Sequence, residues 1–135
     1  MDYNKYMKHF NKNNHFMREN GMQLVSLREG YAEVEMELNP NSLNIQGTLH
    51  GGAMFTLADS AAGAAAKSNG FVSITLNGSI NYIKTTATGK VKAIASQIHQ
   101  GRTTGVYRVE VIDENKNLLS CCTFTMFSTG DVIKT

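Results

Sequence analysis

His50-Gly51-Gly52 is followed, two helical turns on, by a single carboxylate, Asp59. Glycines let another group come close to the backbone. The amides in the first turn of a helix are unpaired and carry the positive end of its dipole. Such amides suit an oxygen that becomes negative during attack on a carbonyl, and a nearby carboxylate suits activation of the attacking group. Each feature alone has a plainer meaning. A glycine pair marks a tight, crowded turn, and a helical aspartate is more often satisfied by a neighbouring hydroxyl or backbone amide than reactive. A Gly-rich turn, a preceding histidine and a helical carboxylate together form a more specific set.

The element that must hold Asp59 is a helix from about Gly51 to Ser68. At about 100° per residue with Asp59 at zero, Met54, Leu57, Ala58, Ala61 and Ala65 fall on the far side, the face expected to cover a sheet. Thr56, Ser60 and Lys67 make a narrow polar arc. Gly52, Phe55, Ala62, Gly63 and Ala66 fill the sector around Asp59, which therefore lacks a basic partner four residues away and needs hydrogen-bond donors from elsewhere. A helix that is apolar or small nearly all round is buried on most sides. One sheet is expected to cover only one of them, so a second copy of the chain is expected over the rest.

The other elements follow from periodicity. Asn4 to Glu19 reads as an amphipathic helix stopped by Asn20-Gly21, and Met22 to Leu27 as a short strand. Tyr31 to Leu38 alternates between Ala32, Val34, Met36, Leu38 and Glu33, Glu35, Glu37, a strand with one wet face. After the helix come strands over about Phe71–Lys84, Lys90–His99, Gly105–Asp113 and Leu118–Phe127. Turns are expected at Gly101–Gly105 and Glu114–Asn117. From Val72 to Tyr82 the even positions are mostly apolar and the odd ones, Ser73, Thr75, Asn77, Ser79 and Asn81, are polar, a face that ordinarily meets water. The order is helix, two strands, one long helix and a meander of four strands, an α+β layout.

Length and composition fit one domain over residues 1–135, with 41% apolar residues and a single core. A net charge of +2 is too small for a nucleic-acid footprint, and no basic stripe carries interleaved aromatics. Cys121 and Cys122 are neighbours whose side chains point to opposite faces of a strand, so no disulfide is expected and a reducing compartment fits. The N-terminus has no apolar signal region and no stretch nears 18 apolar residues; no membrane is expected and the cytoplasm is. His9 and His15 do not share a face at metal-ligand spacing, and no metal is indicated.

Asn44-x-x-Gly47-x-x-His50-Gly51-Gly52, followed by Phe55 and Leu57-Ala58-Asp59, resembles the signature of hotdog-fold acyl-CoA thioesterases of the phenylacetate-pathway (PaaI-like) branch. The strand order and Gly101-Arg102-Thr103 fit as well. The resemblance implies a long central helix wrapped by a mainly antiparallel sheet of about five to six strands, in dimers joined edge to edge and often paired into tetramers. It implies hydrolysis of an acyl-CoA thioester at a site between subunits, with no cofactor beyond the coenzyme A of the substrate. Asp59 matches the catalytic carboxylate, acting as general base or nucleophile. Gly51 matches the backbone N–H that polarises the carbonyl, and His50 and Asn44 match residues that shape the loop. Gly52 and, on a looser match, Thr75 border the substrate. Lys84, Lys90 and Arg102 are candidates for the coenzyme A phosphates. The sequence departs from the family at Lys84-Thr85-Thr86-Ala87, where a proline is usual. No G-x-S-x-G elbow is present. Two other readings stay open: a hydratase or dehydratase of acyl thioesters, and an acyl-CoA-binding protein without turnover. Gly51-Gly52 after His50 departs from the dehydratase signature, in which prolines follow the histidine.

Overall fold

The first predicted helix is in fact two. In the computed structural model, which describes residues 1–135, α1 covers Tyr3–Asn13 and α2 covers His15–Glu19. Between them Asn14 leaves helical geometry at φ −87° and ψ 84°, and its side chain caps α2 by accepting the Met17 N–H at 3.4 Å. Asparagine competes for backbone hydrogen bonds in this way, and that ends the continuous helix expected over Asn4–Glu19.

Six strands follow: β1 (Met22–Arg28), β2 (Tyr31–Glu37), β3 (Phe71–Tyr82), β4 (Lys90–Gln100), β5 (Thr104–Asp113) and β6 (Leu118–Val132), with α3 (Gly51–Lys67) between β2 and β3. They form one fully antiparallel sheet in the order β1-β2-β4-β5-β6-β3. In β2 the alternation holds: Ala32, Val34 and Met36 are buried, while Lys92 reaches Glu33 at 2.9 Å and Glu35 at 3.7 Å on the wet face. The expected four-strand meander is corrected. β4, β5 and β6 form one, but β3 pairs with β6 at the far edge. The seven residues Ile83–Gly89 carry no tight-turn signature. Their extended reach of about 23 Å exceeds the roughly 14 Å from β3 to β4 across two intervening strands. Ile83 and Lys84 donate to the Leu119 carbonyl, and Thr86 accepts from Leu49, which holds the crossover against the sheet.

All six strands touch α3. Met54, Leu57, Ala58, Ala61 and Ala65 are buried as expected, and so are Ala62, Ala64 and Ala66. One sheet therefore covers more of the helix than the flat-layer expectation allowed, because a twisted antiparallel sheet curls around its partner. Gly52, Phe55, Thr56, Asp59, Ser60, Gly63 and Lys67 remain as an exposed or half-buried stripe. No helix is long and apolar enough to cross a membrane.

The two sheet edges differ. At β1 the Asn11 side chain of α1 imitates a neighbouring strand: its Nδ2 donates to the Leu24 carbonyl at 2.9 Å and its Oδ1 accepts the Leu24 N–H at 2.8 Å. At β3 twelve residues without a charge stand open, and Phe71, Ile74 and Leu76 are exposed. Folded proteins ordinarily blunt such an edge with charge, proline or a cover.

β3 is bulged between Thr75 and Asn77. An extra residue reverses the alternation, so Ser73 and Thr75 face the helix before the bulge and Gly78, Ile80 and Tyr82 after it. The expected simple two-faced pattern over Val72–Tyr82 fails there. Gly78 lies under two aromatic rings: a Cβ would overlap Phe124, coming within 2.7 Å of its Cδ1, and lie 3.0 Å from Phe55 Cζ. Gly78→Ala is therefore expected to cost about 1–3 kcal/mol of stability by overpacking, read as a lowered urea midpoint with an unchanged m-value. Cys121 and Cys122 are free and sit on opposite sheet faces, and burial pushes the Cys122 thiol up to about 11.

Candidate active site

Thr75 Oγ1 donates to Asp59 Oδ1 at 2.7 Å, a short charge-assisted bond that fixes the carboxylate rotamer. The donor that Asp59 lacks along its own helix is thus supplied by β3, and only because the strand has not yet reached its bulge. The same hydroxyl lies 3.4 Å from Met126 Sδ. Asp59 and Thr75 line an open groove of about 360 Å³ between α3, β3 and the α1–α2 break. Phe10, Phe16, Met17, Phe55 and Ile74 give it apolar walls, and Asn14, Thr56, Ser60, Gly63, Lys67 and Ser73 line the remainder.

The other half of the predicted set sits at the opposite end of α3. His50 is the N-cap, and its Nδ1 accepts the Gly52 N–H at 2.8 Å, which places the ring proton on Nε2. The amide of Gly52 is thereby committed, and a Cβ there would lie 3.0 Å from His50 Nδ1. The Gly51 N–H makes no hydrogen bond within the chain. Its carbonyl accepts from Tyr82 Oη at 2.9 Å, so the end of β3 tethers the start of the helix. Asn44 organises the loop rather than reaching towards Asp59. Its Oδ1 accepts from Gln46 N at 3.0 Å and Thr48 N at 3.1 Å, and its Nδ2 donates to Thr48 Oγ1 at 3.0 Å. Gly47 takes φ +80° to close that turn, a conformation suited to glycine, and leaves Ile45 95% exposed at the tip.

Gly51 and Asp59 are not brought together within one chain. They stand eight positions apart on the helix, about 12 Å along its axis. The basic candidates are likewise divided. Arg102 lies on the β4–β5 turn, whose Thr103 carbonyl accepts Ser128 N, at the Asp59 end of the sheet. Lys84 and Lys90 lie at the Gly51 end, where Lys90 N donates to Glu114 Oε1 at 2.7 Å. All three are exposed.

Two residues of the site escaped sequence reasoning. Tyr82 was visible only as an apolar strand position. Lys67 falls in the polar arc on a helical wheel, yet it is eight residues from Asp59 with Gly63 between, a spacing that leaves a side-chain corridor along one face. Its Nζ turns back over that glycine, 3.5 Å from the Gly63 carbonyl. Burial pulls the Lys67 pKa below the usual lysine range, and the Asp59 carboxylate opposes the shift.

The family model of the thioesterase superfamily matches residues 46–120. Over 117 residues the chain is 31% identical to the acyl-coenzyme A thioesterase PaaI of Escherichia coli, covering 81% of this chain and 84% of that protein. The structure of E. coli PaaI, from the phenylacetic acid degradation operon, superposes with a TM-score of 0.89 over 94% of this chain and 93% of that one, at 27% identity. A hypothetical thioesterase protein from Streptococcus pneumoniae solved with coenzyme A superposes with a TM-score of 0.82 at 33% identity, covering 90% of this chain and 98% of that one. The 1,4-dihydroxy-2-naphthoyl-CoA hydrolase of Listeria monocytogenes is 34% identical over 111 residues, 78% of this chain and 90% of that protein.

Proposed function

The chain belongs to the thioesterase superfamily as a PaaI-like hotdog enzyme, and on that footing we propose that it hydrolyses an acyl-CoA thioester to the free acid and coenzyme A at a site shared by two copies of the chain. The observation that carries the shared site is the separation of Gly51 from Asp59. A base and an oxyanion donor must both lie within about 3 Å of the reacting atoms of one carbonyl group. Gly51 and Asp59 of one chain are about 12 Å apart along α3 and cannot do so. The open β3 edge supplies the remedy. β3 runs antiparallel to α3, with Thr75 beside Asp59 and Tyr82 beside Gly51. Antiparallel pairing of two β3 edges about a two-fold axis therefore lays the Gly51 end of one subunit along the Asp59 end of the other. One domain over residues 1–135 then supplies both halves.

In this reading the Gly51 N–H, free of any bond within the chain, donates to the carbonyl oxygen as it becomes negative. Asp59, held by Thr75, takes a proton from water as the water oxygen attacks the carbonyl carbon. In the nucleophilic variant Asp59 attacks that carbon itself, and water afterwards hydrolyses the resulting acyl–Asp59 anhydride, giving the acid and the proton that the thiolate takes up. Collapse of the tetrahedral intermediate breaks the C–S bond, and the departing thiolate takes up the proton. A thiolate is a good leaving group, so one carboxylate and one donor suffice. His50 and Asn44 hold the loop that aims the donor. The same pairing brings Lys84 and Lys90 of one subunit towards Arg102 of the other, where cations meet the phosphates of coenzyme A. The two free thiols suit a reducing cytoplasm.

The test is a panel of acyl-CoA substrates, aliphatic and aromatic, followed by trapping the released thiol. Turnover is expected on at least one, within about 1–10³ per second. Enoyl-CoA losing its ultraviolet absorbance without thiol release would favour a hydratase, and tight binding of intact acyl-CoA without product would favour a sensor. Either would overturn hydrolysis.

A further inference from the structure

The groove beside Asp59 is apolar along its walls and polar at its inner end. Lys67 Nζ has no carboxylate within ion-pairing distance, and its single hydrogen bond is the long one to the Gly63 carbonyl at 3.5 Å. Ser73 faces the helix from β3, is only 6% exposed, and its Oγ is buried without any hydrogen-bond partner. Both residues line the groove that holds Asp59. They also stand at one level in it. Lys67 reaches back to Gly63, about 6 Å along the helix from Asp59. Ser73 is two residues from Thr75, about 6.6 Å along the strand in the same direction. A lysine on the last turn of a helix ordinarily faces the helix dipole or solvent. Here it is desolvated, which lowers its pKa against the pull of Asp59, and it shares a groove end with an unsatisfied hydroxyl. Buried donors left without acceptors are costly, so the pair is suited to a ligand that supplies one.

We infer that Lys67 and Ser73 determine acyl specificity, selecting acyl groups that carry an oxygen acceptor at the end remote from the thioester. This rests on the thioesterase reading above, with the carbonyl held at Asp59. The distance of roughly one helical turn suits an acyl group about one aromatic ring or four to six carbons long. Its distal oxygen, a carboxylate or a ring hydroxyl, accepts from the Lys67 ammonium and the Ser73 hydroxyl, while the chain or ring between lies against Phe10, Phe16 and Ile74.

The experiment compares kcat/KM for matched pairs of substrates in the wild-type protein, Lys67→Met and Lys67→Arg. One pair is adipoyl-CoA and hexanoyl-CoA; the other is 4-hydroxyphenylacetyl-CoA and phenylacetyl-CoA. The wild type is expected to prefer the oxygen-bearing member of at least one pair, and which pair shows it tells carboxylate from hydroxyl. In Lys67→Met that preference is expected to fall about 10- to 100-fold, the worth of a hydrogen bond to a charged group, and Lys67→Arg is expected to keep most of it. A lysine that only supports the fold or Asp59 would slow both members alike and leave the ratio unmoved. That result, or a wild type indifferent within both pairs, overturns the inference while thiol release still supports hydrolysis. No thiol release from any of the four overturns the inference, and no release from any member of the wider panel overturns hydrolysis as well.

Discussion

Asp59→Asn is expected to abolish most thiol release, lowering kcat by about 10²- to 10⁴-fold, the usual worth of a positioned acid–base group. The variant isolates the chemistry because little else changes. The side chain keeps its size, and the amide oxygen can still accept from Thr75 Oγ1, which lies 2.7 Å from Asp59 Oδ1. Asp59 is only half-buried on the open stripe of α3, so stability is expected to stay within about 0.5 kcal/mol of the wild type. KM should move far less than kcat, because in the proposed site the groove, the loop and the cations, rather than the carboxylate, hold the substrate. The measurement is thiol release at saturating acyl-CoA, paired with a urea titration of the same preparations. Full activity in a folded Asp59→Asn protein would remove Asp59 from the mechanism and leave the groove without a base.

Mixing two inactive variants should restore activity. Gly51→Pro removes the donor N–H while suiting the first helical position, and His50 before it already has the extended backbone that proline demands, at φ −62° and ψ 134°. Its Cβ would lie 3.3 Å from Tyr82 Cζ, close enough to require a small shift of the ring. Loss of one oxyanion donor costs about 10²- to 10³-fold in kcat. If the site lies between subunits, a heterodimer of Asp59→Asn and Gly51→Pro chains has one doubly damaged site and one intact site. Random pairing of equal amounts makes half the dimers mixed, so about a quarter of the wild-type activity returns. A site contained in one chain would recover nothing. Co-refolding from urea, followed by the thiol assay and a mass measurement of the assembly, distinguishes the two. A mixture that forms dimers but stays inactive would refute the shared site.

The elements of this fold were legible in the sequence where one local rule acted alone. The alternation of Tyr31–Glu37 gave β2 its faces, and the small and apolar residues of Gly51–Lys67 gave α3 its buried side. Asn14 was the exception, because an asparagine that caps and one that continues a helix look alike until its side chain has a backbone N–H to accept. Strand order was not legible. β3 and β4 are consecutive, but seven residues can cross the sheet as readily as turn back, and the pairing of β3 with β6, with Gly78 opposite Phe124, is a long-range contact that no local pattern states.

The residues of the candidate site divide in the same way. His50, Gly51, Gly52 and Asp59 stood out by type and spacing as a set, while the thioester chemistry proposed for them came from the resemblance to a family and not from local pattern. How a complete site could be assembled from them was not legible. A helix rises by a fixed step per residue, so the sequence already implied that Gly51 and Asp59 stand far apart, but not which surface of the fold stands open for the proposed pairing with a second copy. That depended on the tertiary structure, which seals the β1 edge with Asn11 and leaves the β3 edge open. Thr75 meets Asp59 because it stands on the helix-facing side of β3 before the bulge reverses the alternation, and Lys67 lines the groove by folding its side chain back towards the Gly63 carbonyl. Local pattern names the groups that can react. Their placement comes from strand register, edge exposure and side-chain reach, quantities that exist only once distant parts of the chain have packed together.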